Sequence, residues 1–188
     1  MKLKFDIINR NFFVLILGFF FSFETFGQDF ARVTTLSGSN PTFIFNSISK
    51  YNGGITLNNW TRLKLEMDAS SHTSWALHVN SQTSNIQSEG GIAFLSLSTF
   101  EIRANIESEN ETANGGTLVD NSPVILVYDG VGYGSPLLSG TFTGDGTTNL
   151  EVILTISYDC GTTGANKLLG KAPEYYFVDL VFTLTSTP

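Results

Sequence analysis

Hydrophobic residues alternate with polar ones over most of the chain beyond its first 30 residues. The clearest segment runs from Thr61 to Asp68, where Leu63, Leu65 and Met67 are separated by polar and charged side chains. A period of two places these apolar side chains on one face of a β-strand and the charged ones on the other. Similar or more continuously apolar segments recur and predict about ten short strands. The predicted strands cover residues 31–36, 42–48, 61–68, 74–80, 92–97, 100–106, 124–128, 137–142, 150–158 and 176–184.

Glycine-containing turn sequences separate the predicted strands. Examples are residues 52–54 (NGG), 89–91 (EGG) and 129–130 (DG), which accept the positive φ angles of tight turns. No segment of the mature chain has a sustained helical period, and no sequence repeat is present. The pattern therefore predicts an all-β fold, a single antiparallel β-sandwich, with a closed barrel as the alternative. The longest predicted loop covers residues 107–121.

The start of the chain has the three parts of a secretory signal peptide. Residues 1–10 contain three basic side chains, residues 12–23 are almost wholly apolar, and residues 25–27 (TFG) offer small side chains for cleavage. The apolar run has 12 residues, whereas a membrane-spanning helix needs about 20. The sequence thus predicts a signal peptide over 1–27 and one mature domain over 28–188, without a transmembrane segment after cleavage. We expect the mature protein to be secreted, to the periplasm, the cell surface or the extracellular medium.

The predicted mature chain is acidic. Its 161 residues carry seven basic and fifteen acidic side chains, a net charge of −8. This length fits one domain with its own core. An acidic domain repels phosphate backbones, so we expect no nucleic-acid partner. Cys160 is the only cysteine, which excludes an intramolecular disulfide. We interpret it as a small apolar residue near a strand end, with a reactive thiol or an intermolecular link as the alternatives.

The sequence predicts no catalytic centre. His72 and His78 are the only histidines, no nucleophile elbow accompanies them, and with one cysteine they give no zinc-ligand spacing. Glu107, Glu109 and Glu111 offer carboxylates for a calcium loop, but no bidentate acid at a defined spacing completes a ligand set. We interpret this stretch as a solvated acidic loop. The prediction is a non-enzymatic protein with no metal and no cofactor.

Four aromatic residues outside or beside the alternating core positions are candidate ligand-binding residues. They are Trp60, Tyr51, Tyr133 and Tyr175. Binding modules built on β-sandwiches stack sugar rings on exposed aromatic side chains, so glycans are the predicted ligands of such a site. The alternative interpretation is that Trp60 closes one end of the core and that the tyrosines pack with their hydroxyls in water.

Both ends of the mature chain have strand-like patterns, over residues 30–36 and 175–185. An edge strand exposes unpaired backbone groups and can be lent to a neighbouring subunit. Phe30, Ala31 and Val33 are the candidate residues of such a donor strand. The alternative is that the two terminal strands complete their own sandwich.

Residues 51–75 and 172–184 resemble secreted pilin-type β-sandwich proteins. In the spore-coat-U-like and chaperone–usher pilin families, a loop rich in glycine and proline, a tyrosine, an aspartate and alternating apolar residues close the domain. Residues 175–184 have the last three features in the same order. The phenylalanine-rich signal peptide is similar to those of Bacteroidota.

This resemblance implies an immunoglobulin-like or pilin-like sandwich whose missing strand comes from the next subunit. Its partners would be other copies of the chain or related surface subunits. The resulting hypothesis is an exported, non-enzymatic structural or adhesive surface protein, a pilin-like subunit of a fimbrium that exchanges a terminal strand. The alternative hypothesis is a secreted carbohydrate- or surface-binding module.

Overall fold

The computed structural model of the protein describes residues 30–68, 72–109, 117–142, 149–162, 167–171 and 175–187. The predicted signal peptide lies outside these residues. Within them, no helix is long and apolar enough to cross a membrane. The strands and the α-helix are β1 (Ala31–Ser37), α1 (Ile48–Gly53), β2 (Ile55–Met67), β3 (Ser74–Ser81), β4 (Asn85–Ser88), β5 (Phe94–Ser96), β6 (Phe100–Glu109), β7 (Thr117–Asp120), β8 (Val124–Ile125), β9 (Val127–Tyr128), β10 (Leu138–Thr141), β11 (Leu150–Cys160), β12 (Tyr176–Phe177) and β13 (Leu180–Thr187). Short 3-10 helices cover Leu97–Thr99 and Asp129–Val131.

These strands form three sheets. The first has the order β1-β2-β11-β6-β8 and is antiparallel throughout. The second has the order β13-β3-β10-β7, and β9 pairs in parallel with the end of β3. The third, antiparallel sheet has the order β12-β4-β5. The prediction of an all-β fold with antiparallel sheets is confirmed. The described residues form thirteen strands where about ten were predicted, and several of the thirteen have only two to four residues.

One hydrophobic core contains inward-facing residues of all three sheets, which gives a sandwich-like arrangement. On β2 the alternation seen in the sequence is reproduced, since Leu63, Leu65 and Met67 are fully buried. Burial of each such side chain contributes about 2 kcal/mol to folding. The largest fully buried side chains are Tyr158, Leu63, Leu65, Met67, Leu77, Ile102, Leu137, Leu138, Leu150, Leu154 and Ile156.

Residues 42–48 do not form a strand, so this part of the prediction is wrong. Phe43 and Phe45 do pack against the core, and the Phe43 ring lies 5.4 Å from that of Phe100. The segment nevertheless belongs to no ladder and leads into α1, where the Ser47 hydroxyl accepts a hydrogen bond from the backbone N–H of Lys50. Phe43 and Phe45 therefore give the sequence pattern of a β-strand, because both face the core, although their backbone pairs with no other strand.

Residues 124–128, predicted as one strand, are divided between two sheets. β8 pairs with β6 in the first sheet, and β9 pairs with β3 in the second. Leu126 is buried between them. The chain crosses from one sheet to the other here, and we attribute the unbroken apolar run to this crossing.

The predicted loop over residues 107–121 is partly strand. β6 continues to Glu109, and β7 covers Thr117–Asp120 beside β10. The residues between these two strands lie outside the described part of the chain.

Both terminal strands lie at sheet edges. Among the described strands, β1 pairs only with β2 and β13 pairs only with β3. The two edge strands also contact each other. No residue of β1 is buried, although Val33 packs against the core.

Candidate functional site

The third sheet presents a row of three paired residues on one face. Phe177 of β12 pairs with Gln87 of β4, and Gln87 pairs with Phe94 of β5. Paired residues of antiparallel strands place their side chains on the same face. The two phenylalanines are therefore separated by two strand spacings, about 10 Å, with the glutamine amide between them.

The opposite face of this sheet is anchored in the core. Ile86, Ser88 and Leu95 are buried, and Tyr176 packs against the core residues. Because side chains alternate along a strand, burial of these residues fixes the orientation of their neighbours. The row described above must therefore face solvent.

The exposure of the row agrees with this orientation. Phe94 is 53% exposed and Phe177 is 54% exposed. Gln87 is half-buried, and within the described residues its side-chain amide makes no hydrogen bond. Tyr175 is 82% exposed and, two residues before Phe177, belongs to the same face. We call Phe94, Gln87, Phe177 and Tyr175 the aromatic face.

Hydrogen bonds join the strands of this face at the end where β4 turns into β5. Glu89 N–H donates to the Tyr175 carbonyl oxygen across 2.8 Å, which extends the ladder between β12 and β4 by one residue. The β4–β5 turn is closed by the Ser88 side chain, whose hydroxyl accepts from the Ala93 N–H at 3.1 Å. Gly91 takes φ +68° in this turn, a conformation that favours glycine.

The segments that form the aromatic face contain no basic residue. Residues 85–96 and 175–179 contain two acidic side chains, Glu89 and Asp179, and no basic one. The face therefore combines large apolar rings and a free amide with segments that carry two acidic side chains and no basic one.

Of the four aromatic residues chosen from the sequence, only Tyr175 belongs to this face. Trp60 lies just before the predicted strand 61–68, but the structure places it within β2, where residues 58–60 stand opposite the single residue Ser157. Asn59 has φ +48° in this bulge. Trp60 is exposed at this bulge, where the extra residues interrupt the regular ladder.

Tyr51 and Tyr133 lie elsewhere. Tyr51 is half-buried on α1, with its ring 5.5 Å from that of Phe45. Tyr133 is exposed in the loop after β9 and stacks on His78 with ring centroids 4.9 Å apart. In the described structure, no ring contact joins any two of the four candidates.

The candidate donor-strand residues lie at the start of β1, or just before it. Phe30 and Ala31 are exposed, whereas Val33 packs against the core opposite Leu65 of β2. β1 thus occupies an edge position in its own sheet.

The residues considered for chemistry are dispersed. His78 Nδ1 lies 3.2 Å from the Gly134 carbonyl oxygen, and Glu107 forms an ion pair with Arg62. Cys160 is buried, and burial raises the pKa of its thiol to about 12. The rest of the glutamate stretch considered for calcium lies outside the residues with described side chains. Elsewhere in the described chain, no group of three His, Cys, Asp or Glu residues could hold a metal ion.

Sequence reasoning missed Phe94, Phe177 and Gln87. Phe177 gave a signal, since it is a large apolar residue on the polar phase of an alternating segment. Nothing local connected it to Phe94, which lies 83 positions earlier in the chain.

Comparison of the sequence with known protein-family models and with curated proteins gives no match.

Proposed function

We propose that this protein is an exported, non-enzymatic adhesive surface protein that attaches to its target through the aromatic face. The observation that carries the proposal is the row of Phe94, Gln87 and Phe177 on the solvent side of a sheet whose other side is buried in the core. Large apolar residues grouped on a surface mark interaction sites more often than single exposed ones. The secretory pattern of residues 1–27 supports export.

The test measures adsorption of the exported, fluorescently labelled protein to intact cells and to insoluble cell-wall material. We expect binding by the native protein and at least about a threefold loss in Phe94→Ala and Phe177→Ala, because each removes one ring from the face. Trp60→Ala is the matched control, since it removes an exposed ring from another sheet. Equal loss in the control would refute the assignment of this face, and mass spectrometry of the purified protein tests whether its N-terminus is Gln28.

Self-association by strand exchange is a second candidate function. It is favoured by β1, which has no buried residue and pairs on one flank only in the described structure. In a fibre, the same strand would leave its own β2 and pair with that of the next subunit. Such a pilin-like subunit would multiply the adhesive faces along an assembly.

Light scattering after size exclusion separates this second candidate from a monomer. We expect concentration-dependent oligomers of the exported protein, and their loss in a variant lacking residues 28–36. If both proteins are equally stable monomers at every concentration, strand exchange is wrong, while the adhesive face is unaffected.

A further inference from the structure

We infer that the aromatic face binds an uncharged, extended polysaccharide, with sugar rings on Phe94 and Phe177 and their hydroxyls hydrogen-bonded to Gln87. This inference rests on the proposed adhesive function and names its ligand. It follows from the chemistry, the size and the charge of the face.

The chemistry of the row fits a sugar better than a purely apolar ligand. An aromatic ring has a negative face, which attracts the weakly positive C–H groups on the flat side of a sugar ring. Between the two rings, the Gln87 amide offers donors and an acceptor that have no partner among the described residues. A ligand carrying both C–H faces and hydroxyls satisfies both kinds of group.

The spacing of the rings sets the length of the ligand. Phe94 and Phe177 stand on the outer strands of the sheet, about 10 Å apart across β4. One sugar ring is too small to cover both, so the ligand is a chain of several units that crosses the strands. Tyr175 lies beside Phe177 on the same strand and widens the platform at that end.

The charge of the face selects among polysaccharides. Its segments carry Glu89 and Asp179 but no lysine or arginine, and the whole chain has a net charge of −7. Uronic-acid or sulfated chains would therefore be repelled, as would an anionic membrane surface. Neutral glycans have no such cost.

The size of the face argues against a second protein molecule as the occupant. A stable protein interface buries about 800 Å² on each partner and involves 20 or more residues. The three strands of this sheet contain four, three and two residues, of which only alternate ones face outward. A polysaccharide needs only this narrow track.

Affinity electrophoresis in native gels tests the inference on the exported protein. The probes are glucomannan and mixed-linkage β-glucan as neutral chains, and alginate and polygalacturonate as anionic ones. We expect retardation by at least one neutral chain and none by the anionic chains. Phe94→Ala and Phe177→Ala should each weaken the affinity about three- to tenfold.

Two further variants keep this test decisive. Gln87→Glu replaces the amide by a carboxylate of nearly the same shape, so this variant should fold normally. It should weaken retardation by about as much as the phenylalanine variants, and it keeps the test valid if one of those misfolds. Val119→Ala, at an exposed position on β7, should retain it. The inference is overturned if anionic chains retard the protein as strongly as neutral ones, if none of the four polysaccharides retards it, or if all variants are retarded equally. If the phenylalanine variants lose cell adsorption but the native protein binds no polysaccharide, the adhesive function still holds and only its proposed ligand is wrong.

Discussion

The Tyr158 hydroxyl donates a hydrogen bond to Thr61 Oγ1 across 2.8 Å inside the core. Thr61 Oγ1 in turn donates to the Gly38 carbonyl oxygen at 2.5 Å. Gly38 directly follows β1, whereas Thr61 and Tyr158 belong to β2 and β11. These two hydrogen bonds therefore join three neighbouring strands of the first sheet at one level.

Loss of the Tyr158 hydroxyl and loss of the Thr61 hydroxyl should lower the free energy of unfolding by different amounts. Tyr158→Phe deletes a single buried hydrogen bond and should cost about 1 kcal/mol of unfolding free energy. Thr61→Val should cost more, about 2 kcal/mol, because it leaves the Tyr158 hydroxyl and the Gly38 carbonyl unsatisfied. Urea denaturation measures both, with Thr35→Val on exposed β1 as the control. A larger loss in Tyr158→Phe than in Thr61→Val would contradict this account.

The strands of the first sheet were largely predictable because their signal is local. β2 and β11 each bury one face, so the apolar period appears in consecutive residues such as Leu63, Leu65 and Met67. The break between β12 and β13 was not predictable in the same way. The apolar residues keep the same alternation through both strands, at Tyr176, Leu180 and Phe182. The partner strand nevertheless changes from β4 for β12 to β3 for β13.

The aromatic face could not be predicted for a related reason. It is built from residues 85–96 and 175–177, which are distant in the chain and meet only through pairing in the third sheet. Alternation of apolar residues along one strand identifies its buried face, but it does not indicate which other strand pairs with it. Tyr175 can be identified from the sequence because it falls outside the core phase. Grouping Phe94, Gln87 and Phe177 with it requires the pairing register of the third sheet.

Alkaline pH should destabilise the protein through Cys160 and Tyr158. Burial raises the pKa of the thiol from 9.0 to about 12, and burial also raises the pKa of the tyrosine hydroxyl. Above pH 9 the unfolded chain loses a thiol proton that the folded chain keeps, which favours unfolding. The contribution of the thiol is therefore complete below pH 9 and falls as the pH rises towards 12, by at most about 1.4 kcal/mol per pH unit.

Urea denaturation at several pH values between 8 and 11 tests this linkage. Cys160→Ala should flatten the decline above pH 9, whatever its effect on stability at pH 8. The folded protein should also react slowly with a thiol reagent at pH 8, and rapidly in urea. An unchanged alkaline slope in the variant would show that the thiol is not the titrating group.

Two glycines with nearly the same φ should differ in their tolerance of alanine. Gly38 has φ +69° and Gly91 has φ +68°. A Cβ at Gly38 would lie 1.9 Å from the Trp60 carbonyl oxygen, whereas one at Gly91 would meet nothing within 4 Å. Gly91→Ala should therefore cost only the backbone strain, about 1 kcal/mol, and Gly38→Ala about 3 kcal/mol or more. Equal thermal shifts in the two variants would refute the steric argument.

Two ion pairs on the outer face of the first sheet should contribute unequally to stability. Asp159 is 2% exposed; its Oδ1 accepts from the Thr56 hydroxyl, and its Oδ2 lies 2.9 Å from Arg103 Nη2. Although the Arg103 contact lacks hydrogen-bond angles, it still places the cation beside the carboxylate. Glu107 and Arg62 also form a pair, at 2.6 Å, but both are well exposed.

Arg103→Ala leaves a buried carboxylate without its cation and should cost about 2–3 kcal/mol of unfolding free energy. Arg62→Ala should cost less than about 1 kcal/mol, because water and salt already screen that pair. Adding Asp159→Asn to Arg103→Ala should recover part of the loss, since the isosteric amide carries no charge. Urea denaturation at low and high salt measures the free energy of unfolding of the three variants. Equal losses in Arg103→Ala and Arg62→Ala would show that burial of Asp159 does not strengthen its ion pair.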